Sequence, residues 1–122
     1  MSTPISPPGA RTFTPILERN AYVLVPGNTT TGNLSSGGNL SVAGNVGDVL
    51  AGLTIIPVTT SPGDVQIKDG SNTAITIFSG GSSSLAALGP VDVDTHGAVS
   101  VTGGWQISTG GNITALAYGV FT

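Results

Sequence analysis

Charge is what this 122-residue chain has least of. Three Lys or Arg, six Asp or Glu and one His leave 7 % of its side chains charged, where roughly 25 % is usual for a soluble domain. Arg11, Arg19 and Lys68 are the only basic residues and the formal net charge is −3, so a phosphate-tracking surface has almost no raw material and nucleic acid is excluded as an expected partner. Cysteine is absent, which rules out a disulfide framework and a thiolate metal site. No apolar run approaches the roughly 20 residues that span a bilayer, so no membrane is expected. The amino end, MSTPISPPGARTFTPILERN, lacks a basic n-region and an apolar h-region of about 7–15 residues. That predicts a chain made in the cytoplasm and either left there or released by something other than general export.

What fills the sequence instead is Gly, Ser, Thr and Asn between Val, Ile and Leu, with a mean hydropathy of +0.32. A nearly uncharged surface promotes association near neutral pH, so the composition fits a protein whose working state is an assembly. It points toward structure and away from catalysis.

Residues 1–19 hold four of the eight prolines, Pro4, Pro7, Pro8 and Pro15. Proline donates nothing to a ladder and biases its predecessor toward extended backbone, which predicts an extended arm. A solvated tail is one reading of it. Ile5, Phe13, Ile16 and Leu17 favour the other, an arm laid across a neighbouring subunit.

From Asn20 onward the pattern turns to the period-two alternation of strands with one buried face. Strands are expected at 20–25, 48–58, 65–68, 73–79, 90–95, 98–102, 105–108 and 112–121, with short strands and loops over 29–45. The turn Asp69-Gly70-Ser71-Asn72 makes 65–79 the clearest hairpin, with Val65, Ile67, Ile75 and Ile77 on its buried face. Pro57 places the end of the 48–58 strand at an edge or bulge. A six-residue echo, at Asn33-Leu34-Ser35, Asn39-Leu40-Ser41 and Asn45-Val46-Gly47, is too weak to bury the continuous core of a solenoid. LAAL at 85–88 reads as one helical turn or a loop. About eight short strands without helical periodicity predict one all-β domain over 20–122, an antiparallel β-sandwich or jelly roll preceded by the arm. The last strand divides into two faces, Ile113, Ala115, Ala117, Gly119 and Phe121 on one and Thr114, Leu116, Tyr118 and Val120 on the other. The second is apolar enough to suggest burial against another subunit.

Few constellations could carry chemistry. Asp92, Asp94 and His96 form D-x-D-x-H, which on a strand projects three side chains to one face about 6–7 Å apart. A divalent-ion or acid/base cluster is one reading. The solvent face of a strand whose Val91 and Val93 point inward is the favoured one, because a chain so short of charge places what it has in water. No nucleophile elbow accompanies His96, and no cofactor or metal is expected. Four N-x-[ST] sequons, at Asn28, Asn33, Asn39 and Asn112, fit chance in a sequence this rich in Asn, Ser and Thr. Trp105 with Tyr22 or Tyr118 could stack on a sugar ring, but a lone Trp after Gly-Gly at a strand start reads better as a core or interface anchor.

The runs TIIPVTTSPGDVQIKDGSNTAITIFSGG (54–81) and GGWQISTGGNITALAYG (103–119) resemble the small all-β head decoration, or cement, proteins of tailed bacteriophages. The resemblance covers roughly residues 50–122 and rests on a hairpin, a Trp strand and an apolar closing strand. It implies a structural virion protein, often a homotrimer, on the outer surface of an icosahedral capsid, where it clamps major capsid protein subunits against internal DNA pressure. Phe13, Ile16, Leu17 and Arg19 of the arm, with Trp105 and Tyr118, are then the expected capsid or subunit contacts. The alternative is a carbohydrate- or receptor-binding β-sandwich of a phage fibre or bacterial adhesin, and an enzyme ranks third.

Overall fold

The computed structural model describes residues 21–122. The arm, with Phe13, Ile16, Leu17 and Arg19, lies outside the described residues. Eight strands follow one another: β1 (Ala21–Val25), β2 (Gly32–Asn33), β3 (Val49–Pro57), β4 (Val65–Asp69), β5 (Ile75–Phe78), β6 (Val91–Val99), β7 (Trp105–Thr109) and β8 (Ile113–Val120). No helix occurs among the described residues, so LAAL at 85–88 is loop, and no helix there is long and apolar enough to cross a membrane.

The strands form two antiparallel sheets, sheet I in the order β1-β8-β3-β6 and sheet II in the order β2-β7-β4-β5. The pairs β1·β8, β2·β7, β3·β6 and β4·β5 are those of one long hairpin folded at its middle. Pairing of β3 with β8 and of β4 with β7 rolls that hairpin up into a jelly roll. Both central strands of sheet I, β3 and β8, therefore have ladder partners on both sides.

Alternation fills the space between the sheets. Val23 and Val25 of β1, Leu50, Leu53 and Ile55 of β3, and Ile113, Ala115 and Ala117 of β8 are buried on the inner face of sheet I. Val65, Ile67, Trp105 and Ile107 of sheet II complete the core, with Leu34 and Phe121. The alanines sit between large neighbours: Ala117 lies between Val23 and Leu53, and Ala115 between Val25 and Ile55. Small residues flanked by large ones let facing layers interdigitate. The hexad echo resolves into the end of β2 followed by loop and turn, with Leu34 buried, Leu40 packed on the core and Val46 exposed.

Strict alternation fails at one place. Leu50 and Leu53 both point inward although they are three residues apart, and the register of β3 shifts between Leu50 and Gly52 on both of its neighbours. On β6 the matching pairs jump from Asp94 opposite Gly52 to Ala98 opposite Leu50, with His96 and Gly97 at φ 57° and 68°. A bulge absorbs the change of parity and keeps Val93 and Ala98 toward the core. The runs 90–95 and 98–102, separated in sequence by Gly97, are therefore one nine-residue strand ending at Val99. Pro57 ends β3 at a local edge, as expected: it pairs with Ile113 on β8 but lies beyond the last β6 partner of β3 at Ile55, so its other side has no ladder partner. The hairpin at 65–78 is formed, but Ile75 is 57 % exposed because β5 is the outer strand of sheet II.

Two buried carboxylates hold the loops that cross between the sheets. Asp69 ends β4 and accepts hydrogen bonds from Ser100 Oγ at 2.6 Å, Val101 N at 2.8 Å and Thr102 N at 3.4 Å. Ser100 Oγ in turn accepts from Gly104 N at 2.7 Å, so one carboxylate organises the whole β6–β7 connection. Gly104, at φ 98°, brings its backbone so close to Gly44 that a Cβ there would lie 2.7 Å from the Gly44 carbonyl carbon. Asp48 does the same for the other loop, accepting from Asn45 N at 2.9 Å and from the Thr122 hydroxyl at 2.6 Å.

Desolvation by burial pushes the Asp69 carboxyl up, but the hydrogen bonds from Ser100, Val101 and Thr102 outweigh it and hold the carboxyl below its ordinary value. A depressed folded-state value means the contribution is complete above the unfolded value near 3.9 and is lost as pH falls through the folded one. Asp69→Asn, which turns an acceptor into an amide facing backbone N–H donors, is expected to cost about 1–3 kcal/mol at pH 7. Urea unfolding checks this, and the gap between wild type and variant narrows below about pH 4.

Candidate functional site

The outer face of sheet I is where the structure leaves apolar surface uncovered. On β1, Val23 and Val25 point inward, so Tyr22 and Leu24 point outward, and they are 71 % and 53 % exposed. The register continues them across the sheet. Tyr22 lies opposite Tyr118, which lies opposite Gly52; Leu24 lies opposite Leu116, which lies opposite Thr54. Ile56 and the half-buried Val120 extend the patch toward the two ends. Cross-strand partners are about 4.5–5.5 Å apart at Cβ, so these side chains form one continuous surface. A continuous apolar patch rimmed by polar groups marks an interaction site, whereas scattered exposed apolar residues do not.

Gly52 shapes the centre of this face. A Cβ at that position would lie 3.2 Å from the Tyr118 ring and 2.9 Å from the Val93 carbonyl oxygen, so the glycine lets the ring lie over β3. The ring then forms one wall of a shallow groove of about 290 Å³ shared with Asp92 and Asp94. Those two carboxylates give the face an acidic border on β6, opposite its aromatic half on β1 and β8.

Both border carboxylates already have protein partners. Asp92 accepts a hydrogen bond from the Thr54 hydroxyl at 2.9 Å, and Asp94 accepts from the backbone N–H of His96 at 2.7 Å. The His96 ring approaches Asp94 to 3.5 Å with both side chains mostly in water. His96 has the positive φ of the bulge, which breaks the regular alternation that D-x-D-x-H would need. Among the described residues, no group of three His, Cys, Asp or Glu is placed to hold a metal ion.

Of the contact residues expected from sequence, only Tyr118 and Trp105 fall within the described residues. Tyr118 is half-buried on the outer face of β8, open to a partner. Of the two roles expected for Trp105, core or interface anchor, the structure shows the first: it is 7 % exposed, belongs to the core of its own chain, and donates its indole N–H to the Asp48 carbonyl at 3.2 Å. So little remaining surface cannot anchor a second subunit. Nor can Trp105 stack on a sugar beside Tyr22 or Tyr118, because those two lie on the opposite, outer face of the other sheet. Tyr22, Leu24 and Ile56 are parts of the face that sequence reasoning missed. The signal was present in NAYVLV, where both alternating sets are apolar, as they are in β8.

Trp105 is the chain's sole tryptophan, so its fluorescence reports on this placement alone. Emission is expected to be blue-shifted, poorly quenched by acrylamide and unchanged on dilution through any self-association. A red shift on dilution would return Trp105 to a subunit boundary. No family model, no curated protein and no solved structure matches this chain.

Proposed function

We propose that this chain is a structural protein that decorates the outer surface of an icosahedral phage capsid and stabilises it by binding between major capsid protein subunits. The observation that carries the reading is the apolar outer face of sheet I, continuous over β1 and β8 and joined at one end by Ile56 of β3, in a chain with very few charges. The sequence resemblance supplies the class of partner. The jelly roll adds nothing by itself, since such sandwiches serve many unrelated functions.

The size of the face suggests how it works. Four strands about 4.8 Å apart and up to nine residues long make a plate on the order of 600 Å², below the roughly 800 Å² per partner of a standard stable interface. A single such contact is weak, so the proposed protein gains occupancy by touching more than one capsid subunit or a further copy of itself, with a homotrimer as the expected state. A protein that binds only the assembled shell stabilises it by mass action, by about 2.7 kcal/mol per site at a hundredfold excess over Kd. No catalysis is part of the proposal.

Co-sedimentation of the protein with tailed-phage capsids lacking their decoration protein tests this. Saturation at an icosahedral stoichiometry with a raised disruption temperature is expected. The pair Tyr22→Ser and Leu24→Ser is expected to weaken binding at least tenfold, about 1.4 kcal/mol, with the unfolding temperature of the free protein little changed because both side chains are exposed. A soluble protein that stays monomeric and fails to sediment with such shells contradicts the proposal.

A further inference from the structure

The outer face of sheet II has the opposite chemistry. β4 sends Gln66 and Lys68 outward and β7 sends Gln106 and Ser108, with Gln66 opposite Ser108 and Lys68 opposite Gln106. The loop from Asn28 to Thr31 rises beside them, and together they enclose an open groove of about 560 Å³. A second depression shares Gln66 and Ser108 and carries the groove on to Asp64. Lys68 and Asp64 are four residues apart on one strand, so the trough is about 13 Å long from cation to carboxylate.

The wall of the groove is fixed. Asn28 N donates to the Gly110 carbonyl at 2.8 Å, Thr109 N to the Thr29 carbonyl at 2.9 Å, and the Ser108 hydroxyl to the Thr30 carbonyl at 2.8 Å. The Thr109 hydroxyl donates to the Pro26 carbonyl at 2.6 Å. Five of the side chains that line it are left without partners. Among the described residues, the amides of Asn28 and Gln106, the hydroxyls of Thr30 and Thr31 and the ammonium of Lys68 make no side-chain hydrogen bond or ion pair. Gln66 donates to Thr76 and keeps its carbonyl oxygen free.

We propose that this groove binds a saccharide bearing a carboxylate, a uronic-acid type of glycan. Amides and hydroxyls offer donors and acceptors together on a rigid surface, which matches the vicinal hydroxyls of a sugar. A peptide laid in such a trough would need apolar pockets for alternate side chains, and Ala74 with the threonine methyls is the only apolar lining. Charge selects among sugars. Lys68 is the only Lys or Arg among the described residues, it stands in this groove, and no carboxylate among the described residues pairs with it. A ligand carboxylate at the Lys68 end and hydroxyls along Gln106, Gln66 and Asn28 use the free ammonium and the amides of the groove. This groove lies on the sheet opposite the proposed capsid face, so a decorated shell could present it outward. The assignment does not depend on the capsid reading.

The test is a titration of the full-length, nitrogen-15-labelled protein with trisaccharides of galacturonate, glucuronate and guluronate, each beside its methyl ester. Amide shifts confined to 28–31, β4 and β7 are expected for at least one acid, with affinity lowered at least tenfold by esterification and by Lys68→Gln. Gln106→Ala is expected to weaken the acid and its ester alike. Both variants change partly exposed groups outside the core, and unperturbed shifts elsewhere confirm their fold. No shifts up to about 10 mM with all three acids, an affinity weaker than about −3 kcal/mol, overturn the proposal. Shifts unaffected by Lys68→Gln, or equal for acid and ester, overturn it as well. Shell binding is a separate readout, so failure here leaves the capsid proposal standing and failure there leaves this one.

Discussion

The pairing of β3 with β8 is the constraint on which the rest of the structure depends. It joins the middle of the chain to its last strand over the register from Val49 opposite Val120 to Pro57 opposite Ile113. Without it the long hairpin would remain an open ribbon, and neither sheet could cover the other. With it, β8 lies between β1 and β3 and must satisfy two environments at once. Ile113, Ala115 and Ala117 fill the core, and Leu116, Tyr118 and Val120 form the spine of the outer face. The exposed patch is thus a consequence of how the roll closes: the strand that joins the two halves of sheet I also supplies the middle of the outer face, beside the more exposed Tyr22 and Leu24 of β1.

Scarcity of charge sets the second level of organisation. Of five Asp residues among those described, Asp48 and Asp69 are buried where each accepts several hydrogen bonds. A buried charge is tolerable when its lone pairs are satisfied in this way. These two carboxylates do the work that disulfides do in other small domains, tying loops to strand ends. Two further carboxylates, Asp92 and Asp94, stand on the outer strand β6, where charge blunts edge-to-edge association. That protection is absent from the outer face of sheet I itself. The contrast between a guarded edge and an unguarded face is what a protein made to be covered on one side would show.

Much of the architecture was legible because alternation is a local signal. The two faces of the last strand, the hairpin turn at Asp69 and Gly70 and the all-β class follow from period-two patterning and turn chemistry. Parity changes were not legible. Leu50 and Leu53, or Val93 and Ala98, look out of phase until the partner strand shows that a bulge realigns them. Trp105 was ambiguous for another reason: an aromatic at a strand start suits a core or an interface equally, and only the position of Asp48 across the sandwich decides. The polar groove was illegible because it joins Gln66, Gln106 and the 28–31 loop, which come together only when β7 is placed between β2 and β4. The sequence resemblance speaks of a class of partner, while the face that would meet the partner had to come from register.

Hydroxyl-radical footprinting of the protein, free and loaded on capsids, tests the central claim most directly. Tyr22, Leu24, Leu116 and Tyr118 are predicted to lose labelling on loading, while Ile75, exposed on the outer strand of the other sheet, keeps it. Unchanged labelling of the two tyrosines with protection of the β4–β5 hairpin would contradict the account, placing the docking face on the wrong sheet.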